Sequence, residues 1–135
     1  MAIDLARHRV GLTGDNPAVG CVLVRAGELL AVSVTGEGGR PHAEEQALDA
    51  AGDARGATAY ITLEPCGARS GGGLSCAERL ARAGVVRVVI GAADPSPYAS
   101  GLGEERLRAA GVAVDAGVLA DEAEALYEDY SPGSF

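Results

Sequence analysis

Residues 57–90 read ATAYITLEPCGARSGGGLSCAERLARAGVVRVVI, and this stretch decides the fold class. Its ends are rich in β-branched and apolar residues, which is typical of strands. Its middle has helical composition, with Ser75 placed to cap the helix and Gly84 placed to end it. The stretch therefore predicts a strand, a loop, a helix and a second strand, at Ala57–Leu63, Gly67–Gly73, Ser75–Ala83 and Val85–Ile90.

Strands and helices continue to alternate on both sides of this stretch. The β-rich runs Val19–Val24 and Leu29–Val34 are separated by four residues that include Gly27, which predicts an antiparallel hairpin. Strands that alternate with helices after a hairpin predict an α/β fold, a three-layer α/β/α sandwich around a mixed five-stranded sheet. The remaining predicted elements are helices at residues 2–10, His42–Ala51, Glu104–Ala110 and Leu119–Tyr130, a loop at Glu37–Pro41, a turn at Asp94–Pro97 and a strand at Val112–Val114.

The size and composition indicate one small globular domain. The chain has 135 residues, of which 47% are apolar, with no Trp, one Phe and one Met. We expect a single domain over residues 1–130 and a frayed tail over residues 131–135. Because large aromatic residues are scarce, the core has to be built from Val, Leu, Ile and Ala.

The charge balance is acidic, since 11 basic and 19 acidic residues give a formal net charge of −8, and every basic residue is Arg. Nucleic-acid binders normally present a basic face to phosphates, so we expect a small-molecule substrate and no nucleic-acid partner. No apolar stretch approaches the roughly 20 residues that span a bilayer, so no membrane partner is expected. The acidic start and the odd count of three cysteines favour a cytoplasmic protein.

The histidine and cysteine residues offer a set of metal ligands. Zinc favours imidazole and thiolate, and a catalytic zinc site keeps three protein ligands and one position for water. His42 opens a predicted helix, while Cys66 and Cys76 flank the loop before another helix. Helix N-termini stabilise the thiolate that binds metal, so His42, Cys66 and Cys76 are the predicted zinc ligands. Cys21 lies in an apolar run and is expected to be a buried core residue.

Glu44 is the predicted general acid and base, because it lies two residues from a predicted ligand. Positions i and i+2 of a regular helix point roughly 200° apart. His42 and Glu44 can therefore share a site only if the first turn of the helix is directed at the metal.

At these residues the chain resembles the zinc-dependent cytidine and deoxycytidylate deaminase superfamily. His42-Ala43-Glu44 and Pro65-Cys66 match its H-x-E and P-C motifs. The nine residues between Cys66 and Cys76 resemble the deaminase domain of the bifunctional riboflavin-biosynthesis deaminase/reductase enzymes rather than cytidine or tRNA adenosine deaminases. The family's order is also followed by Asn16–Gly20, Thr62–Cys66, Ala83–Ile90 and Asp94–Pro97.

The resemblance implies a cytidine deaminase-like fold, a zinc cofactor, and hydrolytic deamination of an amino-substituted pyrimidine or related nitrogen heterocycle. It also implies that Asn16 contacts the substrate ring or sugar, that Asp94 lies near the pocket, and that the chain forms a homodimer or larger homo-oligomer.

The loop between the cysteines departs from the family. The family's loop carries His and a basic residue that help to hold a ribose phosphate. Here only Arg69 is basic, so the resemblance leaves Arg69 as the residue to bind the substrate phosphate, and Thr35 stands where another pocket His is common. Two substrates therefore stay open: the phosphorylated pyrimidine of riboflavin synthesis, and an unphosphorylated base, nucleoside or triazine. A different class, an inactive zinc-stabilised binding module, also stays open. Gly71–Gly73 is interpreted as a flexible run that could close over a ligand.

Overall fold

The computed structural model describes residues 1–14, 16–69, 73–96 and 99–128. Predictions that concern Asp15, residues 70–72, Pro97 and the tail at 131–135 lie outside the described residues. The helices are α1 (Ala2–Arg7), α2 (Ala43–Ala51), α3 (Cys76–Arg82), α4 (Leu102–Ala109) and α5 (Ala120–Ala125). The strands are β1 (Gly20–Arg25), β2 (Glu28–Val34), β3 (Thr58–Leu63), β4 (Arg87–Ala92) and β5 (Ala113–Asp115).

The five strands form one mixed sheet, as the alternation of strands and helices predicts, and their order is β2-β1-β3-β4-β5. β1 pairs antiparallel with both β2 and β3, while β3–β4 and β4–β5 are parallel. The predicted hairpin is confirmed, but its link is two residues instead of four. Ala26 and Gly27 have φ of 50° and 79°, and positive φ at both central residues makes the tight turn whose twist matches the strands.

Helices cover the two faces of the sheet and give the predicted three layers. α2 packs on β1 and β2, and its alanines join a core with Leu23, Ile61, Leu80 and Ile90. α4 packs on α3 and β5. α1 and α5 lie on the opposite face, on either side of an apolar groove of about 470 Å³ lined by alternate strand residues such as Val22 and Tyr60. The core is built from aliphatic residues and Ala, as predicted.

Several predicted bounds were wrong because backbone hydrogen bonds, which composition does not reveal, set the ends of the elements. α1 ends at Arg7 instead of residue 10, and the chain continues in turns with i to i−3 bonds. β4 begins at Arg87 instead of Val85, and Val85 N bonds back to Leu80 O in α3. α5 ends at Ala125 and tightens into a turn closed by Tyr127 N bonding to Glu124 O.

Two smaller differences concern the segment before α2 and the start of α4. The predicted loop at Glu37–Pro41 contains a short 3₁₀ turn at Glu37–Gly39, and the Arg40–Pro41 peptide is cis. α4 starts at Leu102, two residues before the predicted Glu104. Within the part of the chain that the structure describes, no helix is long and apolar enough to cross a membrane.

Candidate metal centre

His42 lies immediately before α2 and is not part of the regular helix. Its φ and ψ of −66° and 153° are extended, and its backbone N–H donates to Glu45 Oε1 at 3.3 Å. Glu44 is the second residue of α2, and both side chains line one small cavity. The angular separation of positions i and i+2 in a regular helix therefore does not keep these two side chains apart. This meets the condition that the sequence set for a shared site.

Cys66 follows β3, and Cys76 is the first residue of α3. Cys76 N–H points at Cys66 Sγ at 3.3 Å, and Ala77 N–H donates to Cys66 O at 3.0 Å. Ser75 caps the helix as predicted, because its hydroxyl accepts from Glu78 N–H at 3.2 Å. The free amides at the start of α3 thus hold the Cys66 turn and favour negative charge on its sulfur.

His42, Cys66 and Cys76 converge, with one ligand atom of each lying within 4.8 Å of the others. All three residues are buried, and neither cysteine forms a disulfide. His42 Nδ1 lies 3.4 Å from Cys76 Sγ. One imidazole and two thiols at this spacing fit the soft, tetrahedral preference of zinc and leave one position of a four-ligand shell to a non-protein ligand.

The pKa values of the two thiols shift in opposite directions. Hydrogen bonding with Cys76 lowers the pKa of the Cys66 thiol to about 4 against the opposing effect of burial. The same contact, together with burial and the Glu44 charge, raises the pKa of the Cys76 thiol above its ordinary value. Two buried thiolates side by side need a cation, which is what a zinc ion supplies to such a pair.

Glu44 is the carboxyl of this cavity and is only 4% exposed. Burial raises its pKa to about 7, although the neighbouring His42 charge pulls in the opposite direction. A carboxyl of this kind can exchange a proton near neutral pH. Sequence reasoning identified Glu44 by its spacing, and the structure places its side chain in the wall of this cavity.

The cavity itself is small, about 20 Å³, which is room for one water-sized molecule. Thr35 closes one wall, where its hydroxyl accepts from Val19 N–H at 2.9 Å and donates to Pro17 O at 3.1 Å. The described lining residues include three acids and no Arg. The described lining residues are Asn16, Pro17, Val19, Thr35, His42, Glu44, Leu63, Glu64, Cys66 and Asp94.

Asn16 and Asp94, which the resemblance pointed to, both line the cavity. Asn16 Nδ2 donates to Gly39 O at 2.9 Å, which ties the residue to the segment before α2. Asp94 is buried at the end of β4, and its Oδ1 accepts from Ser96 N–H at 2.8 Å. Both side chains are therefore fixed by the backbone beside the ligands.

Arg69 does not line the cavity. Its guanidinium pairs with Glu45, and their side chains are 12% and 18% exposed. The same Nη2 lies 3.3 Å from His42 Nδ1 and 3.6 Å from Cys76 Sγ. The resemblance led us to expect that Arg69 binds a substrate phosphate. In the structure its guanidinium contacts the Glu45 carboxylate and two of the predicted metal ligands.

Glu64 is a site residue that sequence reasoning missed, because an acid at the end of a strand is usually solvated. Its carboxylate is buried and accepts from Gly101 N–H at 3.0 Å and from Glu104 N–H at 3.2 Å. The backbone of α4 also presses on the turn before Cys66, since a Cβ on Gly103 would lie 1.8 Å from Pro65 O. The glycine at 103 was the available signal for this close approach.

Comparison with known sequences agrees with this geometry. The family model described as the cytidine and deoxycytidylate deaminase zinc-binding region matches residues 1–92. The riboflavin biosynthesis protein RibD of Aquifex aeolicus (strain VF5) is 45% identical over 131 residues, which cover 96% of this chain and 36% of that protein. RibD of Escherichia coli (strain K12) is 44% identical over 130 residues, with 96% and 35% covered. The chain spans about a third of the length of these relatives.

Solved structures show the same fold. A diaminohydroxyphosphoribosylaminopyrimidine deaminase/5-amino-6-(5-phosphoribosylamino)uracil reductase from Thermotoga maritima superposes with a TM-score of 0.85 at 40% identity, over 93% of this chain and 36% of that chain. Acinetobacter baumannii RibD, form 1, gives 0.88 at 43% identity, over 96% and 36%. The predicted cytidine deaminase-like fold is confirmed.

Proposed function

Because this chain belongs to the cytidine and deoxycytidylate deaminase zinc-binding family, we propose that it is a zinc-dependent enzyme that hydrolytically deaminates an amino-substituted pyrimidine. The observation that carries the proposal is the convergence of His42, Cys66 and Cys76 beside the carboxyl of Glu44. The names of the RibD relatives support a substrate of the riboflavin type, a diaminopyrimidine that carries a ribose phosphate.

In this proposal His42, Cys66 and Cys76 would hold a zinc ion, and such an ion would supply Lewis acidity that lowers the pKa of a water molecule toward neutral. Glu44 takes a proton from the attacking water and delivers it to a ring nitrogen. The water oxygen bonds to the ring carbon that bears the amine, and Glu44 then takes the second proton from the new hydroxyl and passes it to the amine. The carbon–nitrogen bond breaks, ammonia leaves, and the hydroxyl oxygen becomes the ring carbonyl. Asn16 and Asp94 orient the ring through the amide and carboxylate that they present to the cavity.

The test is the Glu44→Gln variant, with Glu105→Gln as the matched control on an exposed position of α4. We expect E44Q to keep its zinc and to lose turnover by a factor of at least about 10²–10⁴, because general acid–base catalysis contributes on that order. E105Q should match the wild type in both zinc content and ammonia release. Full turnover in E44Q would contradict the role assigned to Glu44.

A second substrate class is favoured by the charges around the cavity. Glu44, Glu64 and Asp94 line it, and the described lining residues include no Arg. Like charges repel across a cavity of low dielectric, so an unphosphorylated base, nucleoside or triazine suits these walls better than a phosphate ester does. Comparing the specificity constants for phosphorylated and dephosphorylated forms of the same pyrimidine separates the two classes.

An inactive zinc-stabilised binding module would need a closed metal shell. Structural zinc sites normally have four protein ligands, and the His/Cys cluster in the described ranges has three members. This favours catalysis over a purely structural metal. Zinc-loaded protein that releases no ammonia from any pyrimidine, purine or triazine would support the binding module instead. A cytoplasmic location, a homo-oligomeric assembly and the absence of a nucleic-acid partner stay predictions.

A further inference from the structure

The guanidinium of Arg69 lies beside the metal-ligand cluster and away from the substrate cavity. Its Nη2 contacts Cys76 Sγ at 3.6 Å and His42 Nδ1 at 3.3 Å, and it also donates to Glu45 Oε1. One nitrogen therefore meets two of the three proposed ligands and one carboxylate.

Glu45 holds this guanidinium in place. Its Oε1 accepts both from Arg69 and from the backbone N–H of His42, so one oxygen joins the cation to the residue that carries the imidazole ligand. Its Oε2 lies 3.9 Å from a nitrogen of Arg79, which is a longer and more exposed contact. Within the described residues, Arg79 makes no hydrogen bond to a sulfur, so the two arginines share Glu45 but differ in their contact with the ligands.

We propose that Arg69, anchored by Glu45, is a positioning residue of the zinc site: it donates a hydrogen bond to Cys76 Sγ and stabilises the thiolate as a metal ligand. This rests on the zinc site of the proposed function and deepens it. Hydrogen bonds to metal-bound groups fix ligand orientation and typically change metal affinity by about 10–100-fold. A guanidinium suits this task, because its rigid fork carries several N–H groups and keeps its charge.

The same arrangement bears on the substrate. A cation that is largely buried against Glu45 and Cys76 is not among the described lining residues of the cavity, so this arrangement does not favour Arg69 as the binding group for a ribose phosphate. In this chain the basic residue of the loop between the cysteines, Arg69, contacts the proposed metal ligands.

The experiment measures zinc affinity of the folded metal-free protein by competition with a chromophoric chelator. We expect Arg69→Met to weaken zinc binding by about 10–100-fold. Arg79→Met, the matched control, removes the other arginine beside Glu45 and should change the affinity by less than about fivefold, as is usual for an exposed ion pair. Glu45→Gln removes the negative charge that pairs with the guanidinium but keeps the Arg69 residue. It should weaken zinc binding, as R69M does.

Cobalt substitution gives a readout that general destabilisation would not move. A thiolate that loses its hydrogen bond becomes a better electron donor, so the sulfur-to-cobalt charge-transfer band should shift to longer wavelength in R69M and stay unchanged in R79M. Unchanged or tighter zinc binding in R69M overturns the inference, and so does an equal loss in R69M and R79M. If R69M does not fold, unchanged affinity in E45Q overturns it. A wild-type protein that binds no zinc would overturn the proposed function as well.

Discussion

Replacing Glu64 by Gln should destabilise the protein strongly for a substitution that keeps size and shape. The Glu64 carboxylate accepts two N–H groups at the start of α4, at 3.0 and 3.2 Å, and it is buried. The Gln side chain offers one oxygen, so it can satisfy one of these donors while its NH₂ group faces the other.

The expected size follows from those two contacts. A hydrogen bond to a charged group contributes about 1.5–3 kcal/mol, and a negative charge at a helix N-terminus adds about 0.3–1 kcal/mol. Loss of one bond and of the charge should therefore lower the free energy of unfolding by about 2–4 kcal/mol.

Urea denaturation of the zinc-saturated protein measures this free energy, with an unchanged slope as the sign that only stability has moved. With a slope of about 1–3 kcal/mol per molar urea, the midpoint should fall by about 0.7–4 M. Glu105→Gln, on the exposed side of the same helix, is the control and should stay within about 0.5 kcal/mol of the wild type. If E64Q unfolds at the same urea concentration as E105Q, the carboxylate does not hold α4 in the way described here.

Three further results are expected. Leu80→Ala should lower the free energy of unfolding by about 2–5 kcal/mol, because Leu80 is fully buried, whereas Leu119→Ala at a position 60% exposed should change it by less than about 0.5 kcal/mol in the same denaturation assay. Tyr127→Phe should cost about 1–2 kcal/mol, since the hydroxyl bonds to Thr62 Oγ1 at 2.7 Å and Ala18 O at 2.9 Å; a melting temperature equal to that of the wild type would count against these bonds. Removal of zinc by a chelator should make Cys66 and Cys76 reactive towards a thiol reagent while the buried third cysteine stays protected, and equal reactivity before and after chelation would argue that the two sulfurs are not metal ligands.

Local sequence signals predicted the elements whose ends are marked by capping or turn residues. Ser75 and Gly52 mark the start of α3 and the end of α2 because capping depends on residues within one turn. The same holds for the hairpin, whose Gly27 permits the positive φ of its turn. His42, Glu44, Cys66 and Cys76 could be grouped from sequence because few other residues supply imidazole, thiol and carboxyl in a matching motif.

The features that sequence reasoning missed depend on contacts between distant parts of the chain. Glu45 and Arg69 are separated by 24 residues, and nothing near either residue shows that they pair. Glu64 is an ordinary acid until α4 packs over it, 37 residues further along. The start of α4 was placed too late for a related reason, since Gly101 and Gly103 have low helix propensity but are needed where the helix meets the Pro65 turn.

The close approach of Gly103 to the Pro65 carbonyl gives α4 two sides with different mutational tolerance. The outer side, which carries Glu105 and Arg106, is exposed and should accept most substitutions in a random library. On the inner side any side chain larger than hydrogen collides with the turn that carries Cys66. Many inactive clones from such a library should therefore carry a substitution at Gly103, which has no functional side chain, while all of their proposed metal ligands are intact.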